Sequence, residues 1–156
     1  MKDLGLMHYF LGLEVWQKPS EIFLTQRKYA VDILQRFGMQ DSKSMSVPMT
    51  TNLTKLWDSA SSSQSVDSTL YRQLIGSLMY LVHTRPDICY TVNALSQFMS
   101  DPKHIHLVAA KHVLRYVRGT ITYGLRYTSS SGVLLSRYSD LDWAGSAVDR
   151  KSTSVY

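Results

Sequence analysis

The chain has 156 residues, the size of one domain or two small ones; 44% are apolar and 11% aromatic, which excludes a wholly disordered chain. Lys plus Arg is 17 against 12 for Asp plus Glu, and the net charge of +5 favours a polyanionic partner, nucleic acid first. The single cysteine, Cys89, excludes an internal disulfide framework and argues against a Cys-based zinc site and for a reducing compartment, while no apolar stretch approaches the roughly 20 residues of a membrane helix.

Four blocks follow in chain order. In residues 1–40, Tyr9 to Trp16 is an aromatic and aliphatic run, Lys18-Pro19-Ser20-Glu21 signals a turn, and Ile22-Phe23-Leu24 is a second run. Two runs around such a turn predict a β-hairpin. Thr25 then stands where a helix N-cap belongs, Tyr29, Ile33, Leu34 and Phe37 share one helical face, and Gly38 suits the position just past the helix. Residues 41–67 form a Ser/Thr-rich connector, in which Ser59 to Ser65 is low in complexity and Val47-Pro48-Met49 is expected to be extended.

Residues 68–119 predict three helices packed as a small bundle. Leu70, Leu74, Leu78 and Leu81 form the first stripe, with Tyr71, Ile75 and Val82 beside it. Arg85-Pro86-Asp87 punctuates, Ile88, Val92, Leu95 and Met99 repeat at helical spacing, and Asp101-Pro102 is expected to open the third helix. In that helix Ile105, Val108, Ala109, His112 and Tyr116 are expected to face one way, with Gly119 at its end. His104, Lys111, Arg115 and Arg118 fall on another face, at the spacing of a stripe that could follow a phosphate backbone, or of a merely solvated face. In residues 120–156, Tyr123, Leu125 and Tyr127 alternate as in a strand, Ser129 to Gly132 turn, and Val133 to Tyr138 reads as a second strand. Two strands without a cover cannot stand alone, so this block is expected to open a further sheet.

Few residues carry chemistry by their pattern alone. Asp140 and Asp142 are two apart on a strand and point to opposite faces, so strand geometry does not give them a shared metal. The histidines have no Cys or second carboxylate at ligand spacing; His112 reads as a hydrogen-bonded core residue and Cys89 as buried and inert. The glycines form no phosphate loop.

Longer motifs are more specific. Met1 to Gly5 with His8-Tyr9-Phe10-Leu11-Gly12-Leu13-Glu14-Val15 resembles the end of the reverse transcriptase of Ty1/copia-type retrotransposons. The resemblance continues through Ile22 to Ala30, Tyr71 to Leu81, Thr84 to Ile88, Ala109 to Tyr116, Arg118-Gly119-Thr120, Tyr138-Ser139-Asp140, Asp142 to Gly145 and Asp149 to Ser154, in the family's order and over essentially the whole chain.

The resemblance implies a role for each block. Phe10, Leu11, Gly12, Leu13 and Glu14 would form the primer grip that holds the 3′ end of the growing strand. The helices would be the thumb or connection region over a template-primer duplex or RNA–DNA hybrid, with Lys111, Arg115 and Arg118 on its phosphates. Asp140 would be the first carboxylate of a ribonuclease H site, which in the family binds two Mg²⁺ ions together with further carboxylates. The resemblance places the polymerase's Tyr-x-Asp-Asp motif before Met1 and the other nuclease carboxylates after Tyr156, so this segment is expected to bind no Mg²⁺ and to catalyse neither reaction alone. Val155 stands where the family has glycine, and Leu141 and Arg137 also depart from its pattern.

The expected fold class is α+β: hairpin and helix, Ser-rich connector, thumb-like bundle, then the first strands of an incomplete ribonuclease H-like sheet. The expected partners are the nucleic-acid duplex and the rest of the Pol polyprotein, with no membrane. The resemblance implies an intracellular setting, a cytoplasmic virus-like particle or the nucleus for the parent element. A nucleic-acid-binding module without catalysis, and a nuclease completed by a partner chain, stand as alternatives.

Overall fold

The computed structural model describes residues 5–49 and 64–129, together with the backbone of 140–141 and 154–155. Among the described residues it is a mixed α and β structure with four helices and a four-stranded antiparallel sheet.

The sheet begins with the predicted hairpin. Strand β2 (Leu13–Lys18) pairs with β3 (Glu21–Thr25), with Lys18 opposite Glu21, so Pro19 and Ser20 alone make the turn. The aromatic run before it is not one strand. It breaks at Leu11 and Gly12, whose φ values of 47° and 77° are both positive, into β1 (Tyr9–Phe10) and β2. Two positive-φ residues between antiparallel strands make the tight turn that matches the strands' own twist. The fourth strand corrects an expectation. Strand β4 (Leu125–Thr128) does not open a separate sheet; it pairs with β3, Leu125 opposite Leu24 and Tyr127 opposite Ile22. The Arg126 guanidinium fastens this edge by pairing with Glu21, which also meets Lys18 at 3.1 Å. The exposed edge of an existing sheet offers β4 the hydrogen bonds that a lone strand would lack. The predicted strand 133–138 lies outside the described residues. Further on, β5 (Asp140–Leu141) pairs with β6 (Ser154–Val155).

Helix α1 (Arg27–Arg36) buries Ala30, Ile33 and Leu34, with Tyr29 and Phe37 at the margin of the core. Gly38, at φ 64°, ends it in the left-handed turn: Gly38 N–H donates to the Gln35 carbonyl and Met39 N–H to that of Leu34. Helix α2 (Ser68–Leu81) is capped by the Asp67 carboxylate, which accepts from Thr69 N–H at 2.8 Å. It buries Tyr71, Leu74, Ile75, Leu78 and Leu81, whereas Leu70 of the predicted stripe lies exposed. Two short 3₁₀ turns, Val82–Thr84 and Pro86–Ile88, lead into α3 (Cys89–Ser96), which buries Val92 and Leu95. Cys89 is half-buried and lies 3.6 Å from the Asn93 amide nitrogen.

Helix α4 (His104–Gly119) starts two residues later than Asp101-Pro102 implies, because Lys103 is the cap residue and its N–H donates to His106 Nδ1 at 3.1 Å. Its core face is His106, Ala110, Val113, Leu114, Tyr116 and Val117, not the row through Ile105, Val108 and His112; Val108 is exposed. The true face carries a buried histidine, so a count of apolar letters selects the neighbouring row. The core joins α1, α2, α3 and α4 through Ile33, Leu74, Leu78, Val92, Val113 and Val117, all fully buried.

Among the described residues, a charged side chain sits in this core. Arg85, 2% exposed, bridges Asp87 at 2.7 Å, and its Nη1 and Nη2 donate to the Thr120 carbonyl and hydroxyl. Its guanidinium carbon lies 5.5 Å from the Tyr116 ring centre and 5.4 Å from that of Tyr123. The connection after α2 is thereby tied to the end of α4.

Candidate nucleic-acid interface

The turn between β1 and β2 is built from both sides. Leu11, 73% exposed, and Gly12 form its tip. The Tyr80 hydroxyl, on α2, donates to the Leu11 carbonyl; a Cβ on Gly12 would press on that hydroxyl, and the φ of 77° strains any residue but glycine. Tyr80 is held in turn by an edge-on contact with Tyr29, ring centres 4.8 Å apart, while the Tyr29 hydroxyl donates to the Ser77 carbonyl. A left-handed, non-glycine residue such as Leu11 costs about 1–2 kcal/mol, which persists only where the surroundings fix it.

The five hairpin residues divide by surroundings. Phe10 and Leu11 project into solvent, Gly12 shapes the tip, and Leu13 is half-buried. Glu14 has a structural duty: its Oε1 accepts from Lys28 N–H at 2.8 Å and caps α1 across the sheet. This corrects the expected Thr25 cap. Thr25 is buried and donates instead to the Tyr123 carbonyl at 3.2 Å. The residue that precedes α1, Gln26, supplies no side-chain cap; its Oε1 accepts from the Thr84 hydroxyl, and its buried Nε2 has no partner among the described residues. A carboxylate at the positive end of the helix is the favourable charge there.

The basic residues of α4 lie elsewhere. Lys111 is exposed. The Arg115 Nε donates to the Lys43 carbonyl at 2.8 Å and the Arg118 Nε to the Gln40 carbonyl at 2.5 Å. Met45 N–H donates to the Arg115 carbonyl, and His112 Nε2 meets the Val47 carbonyl at 3.0 Å, so His112 is hydrogen-bonded but half-buried, outside the core. Residues 40–47 thus form a strap along α4, and the two arginines are spent in part on holding it. Among the described residues, no hydrogen bond or ion pair joins Lys111, Arg115 or Arg118 to the hairpin. The side chain of Asp140 lies outside the described residues; its backbone is opposite Val155. Among the described residues no three His, Cys, Asp or Glu side chains converge as a metal site.

Two groups with shifted acidity mark the Arg85 cluster. Burial raises the Asp87 carboxyl, but hydrogen bonds from Arg85 and Tyr116 and the guanidinium charge outweigh it and hold the carboxyl below its ordinary value. The Tyr116 hydroxyl, 2.8 Å from Asp87, is raised by burial and by that bond. Sequence reasoning assigned no role to Tyr80 or Arg85. Their signal was chemical: a tyrosine on the margin of an apolar stripe, and an arginine beside an aspartate in a short connection.

No protein-family model and no solved structure matches the chain. Its relatives are informative. An uncharacterized mitochondrial protein of Arabidopsis thaliana is 44% identical over all 156 residues, which span 64% of that protein. The retrovirus-related Pol polyprotein from transposon RE1 of Arabidopsis thaliana is 44% identical over the same residues, and that from transposon TNT 1-94 of Nicotiana tabacum is 35% identical over 163 aligned positions. The chain spans only 10% and 12% of those two polyproteins. Full-length similarity at this level places the chain in the family of retrovirus-related Pol polyproteins of copia-type transposons.

Proposed function

We propose that this chain is the part of a copia-type Pol that grips the primer strand and closes on the template-primer duplex, followed by the first strands of a ribonuclease H domain. It binds template-primer or RNA–DNA hybrid and catalyses neither reaction alone. The observation that carries this reading is the Leu11–Gly12 turn. Its tip is exposed, its glycine makes room for Tyr80, and the Tyr80 hydroxyl fixes its backbone. A turn whose backbone is fixed and whose tip is exposed can present its main-chain groups to a sugar-phosphate strand. Lys111, with Arg115 and Arg118, adds phosphate contacts from the helical body. Asp140 supplies one carboxylate of a site that needs several. The rest of the Pol polyprotein is the partner for the exposed Phe10, Ile22 and Tyr127, which share one face of the sheet.

The test is fluorescence anisotropy with a labelled RNA–DNA hybrid, titrated at several salt concentrations. Leu11→Asp suits a left-handed backbone position and keeps the fold. It sets a carboxylate against the strand and is expected to weaken binding about tenfold, or 1.4 kcal/mol. Lys111→Ala is expected to lower the salt slope by about one. Hybrid affinity unchanged by both variants overturns the reading. In a parallel incubation with Mg²⁺, cleavage above that of an Asp140→Asn control overturns the inactive assignment.

A further inference from the structure

We propose that a cleft beside the turn binds one unpaired nucleotide, its base stacked on the rings of Tyr9 and Trp16 and its phosphate on the Lys28 ammonium. The proposal rests on the reading that this hairpin meets a nucleic-acid strand, and it adds which part of the strand is taken.

The register places the groups. Tyr9 is directly opposite Glu14, and Trp16 lies two residues further along the same strand, so all three occupy one face of the sheet. Diagonal neighbours of this kind are about 7–8 Å apart at Cα, a separation that long aromatic side chains span. Tyr9 is 58% and Trp16 64% exposed, large values for rings that could have been buried. Between them is an open cleft of about 310 Å³, lined also by His8, Val15 and Lys28. That volume lies at the small end of ligand sites.

The electrostatics select the ligand class. The Lys28 Nζ lies 5.6 Å from the centre of the Tyr9 ring and makes no ion pair among the described residues. The Glu14 carboxylate in the same cleft would repel a phosphate if it were free, but its Oε1 is bound at the N-terminus of α1. That helix end offsets its charge. The cleft therefore presents two π-faces, an ammonium and a carboxylate tied to the helix end. Exposed aromatic rings beside a cation are the elements of single-strand binding, because every base has a face to stack. Bases within a duplex are stacked on one another and do not offer that face, so the occupant is unpaired.

The experiment compares two labelled probes on the chain: an oligothymidine of about 12 nucleotides, and a hybrid duplex of the same length. Tyr9→Ala and Trp16→Ala are each expected to weaken oligothymidine binding roughly tenfold, leaving its salt slope and the duplex affinity unchanged. Trp16→Phe, which keeps a ring, is expected to retain most of the affinity, and Lys28→Ala to lower the single-strand salt slope by about one. Duplex binding without single-strand binding, or equal losses on the two probes, overturns this proposal and leaves the primer-strand reading standing. Binding of neither probe overturns both.

Discussion

Replacing Arg85 with alanine removes a charged side chain buried in the helical core, and the cost follows from its partners. The Thr120 carbonyl loses its Nη1 donor at 3.0 Å in a residue only 9% exposed, and an orphaned buried acceptor costs about 1–3 kcal/mol. The Thr120 hydroxyl keeps its bond to the Tyr116 carbonyl at 2.9 Å and loses less. Asp87 loses a charge-assisted pair, but its side chain is 32% exposed and water replaces part of it. The contacts with the Tyr116 and Tyr123 rings vanish as well, at about 0.5–1 kcal/mol each. The sum is about 3 kcal/mol, at the low end of the cost of breaking a buried pair because one partner meets solvent. Urea unfolding followed by far-UV circular dichroism should show the midpoint falling by about 1.5 M, taking a slope of roughly 2 kcal/mol/M. Arg85→Lys keeps the charge without the planar fork and should recover less than half of the loss. A loss below about 1 kcal/mol for Arg85→Ala, or wild-type stability for Arg85→Lys, would refute the assignment of Arg85 as the tie between the α2 connection and the end of α4.

Three further outcomes are expected. Glu14→Ala should destabilise the chain by about 1 kcal/mol, as for a lost N-cap, and Glu14→Gln by less, since an amide oxygen can still accept from Lys28 N–H; urea midpoints for the pair check this. Because the Asp87 carboxyl is held below its ordinary value, its stabilising contribution is full above the unfolded-state value near 3.8 and is lost as pH falls through the lower folded-state value; Asp87→Asn should flatten stability against pH in that acidic window. With Arg115→Ala and Arg118→Ala combined, residues 40–47 lose two anchors, and trypsin should cut after Lys43 several-fold faster at unchanged global stability; an unchanged rate would mean that the strap is held by other contacts.

Local signals made much of the fold legible. The Pro19-Ser20 turn, the Gly38 helix end and the stripe from Leu74 to Leu81 each depend on neighbours within a few residues, and each lies where the pattern puts it. What escaped depends on distant chain. That β4 joins β3 follows from an open strand edge about 100 residues earlier, which alternation at Tyr123, Leu125 and Tyr127 cannot reveal. The α1 cap went to Glu14 rather than Thr25 because the sheet carries that carboxylate to the helix end. The candidate site divides in the same way. Phe10, Leu11 and Gly12 stand at an exposed turn, but the Tyr80 latch that fixes it and the strap that engages Arg115 and Arg118 are tertiary contacts with no sequence period.

The pairing of Leu24 with Leu125 has a consequence for synthesis. The four helices are enclosed between two neighbouring strands, as an insertion whose entry and exit touch. A ribosome adding roughly 5–20 residues per second needs about 5–20 s to travel from β3 to β4. Through that interval β3 exposes unpaired backbone, a template for any other strand nearby. The helical core, rich in short-range contacts, can close first and carry the late strand to its edge. The nascent N-terminal sheet is therefore the stage at which this polypeptide is most open to mispairing, and a helper that shields strand edges would act there.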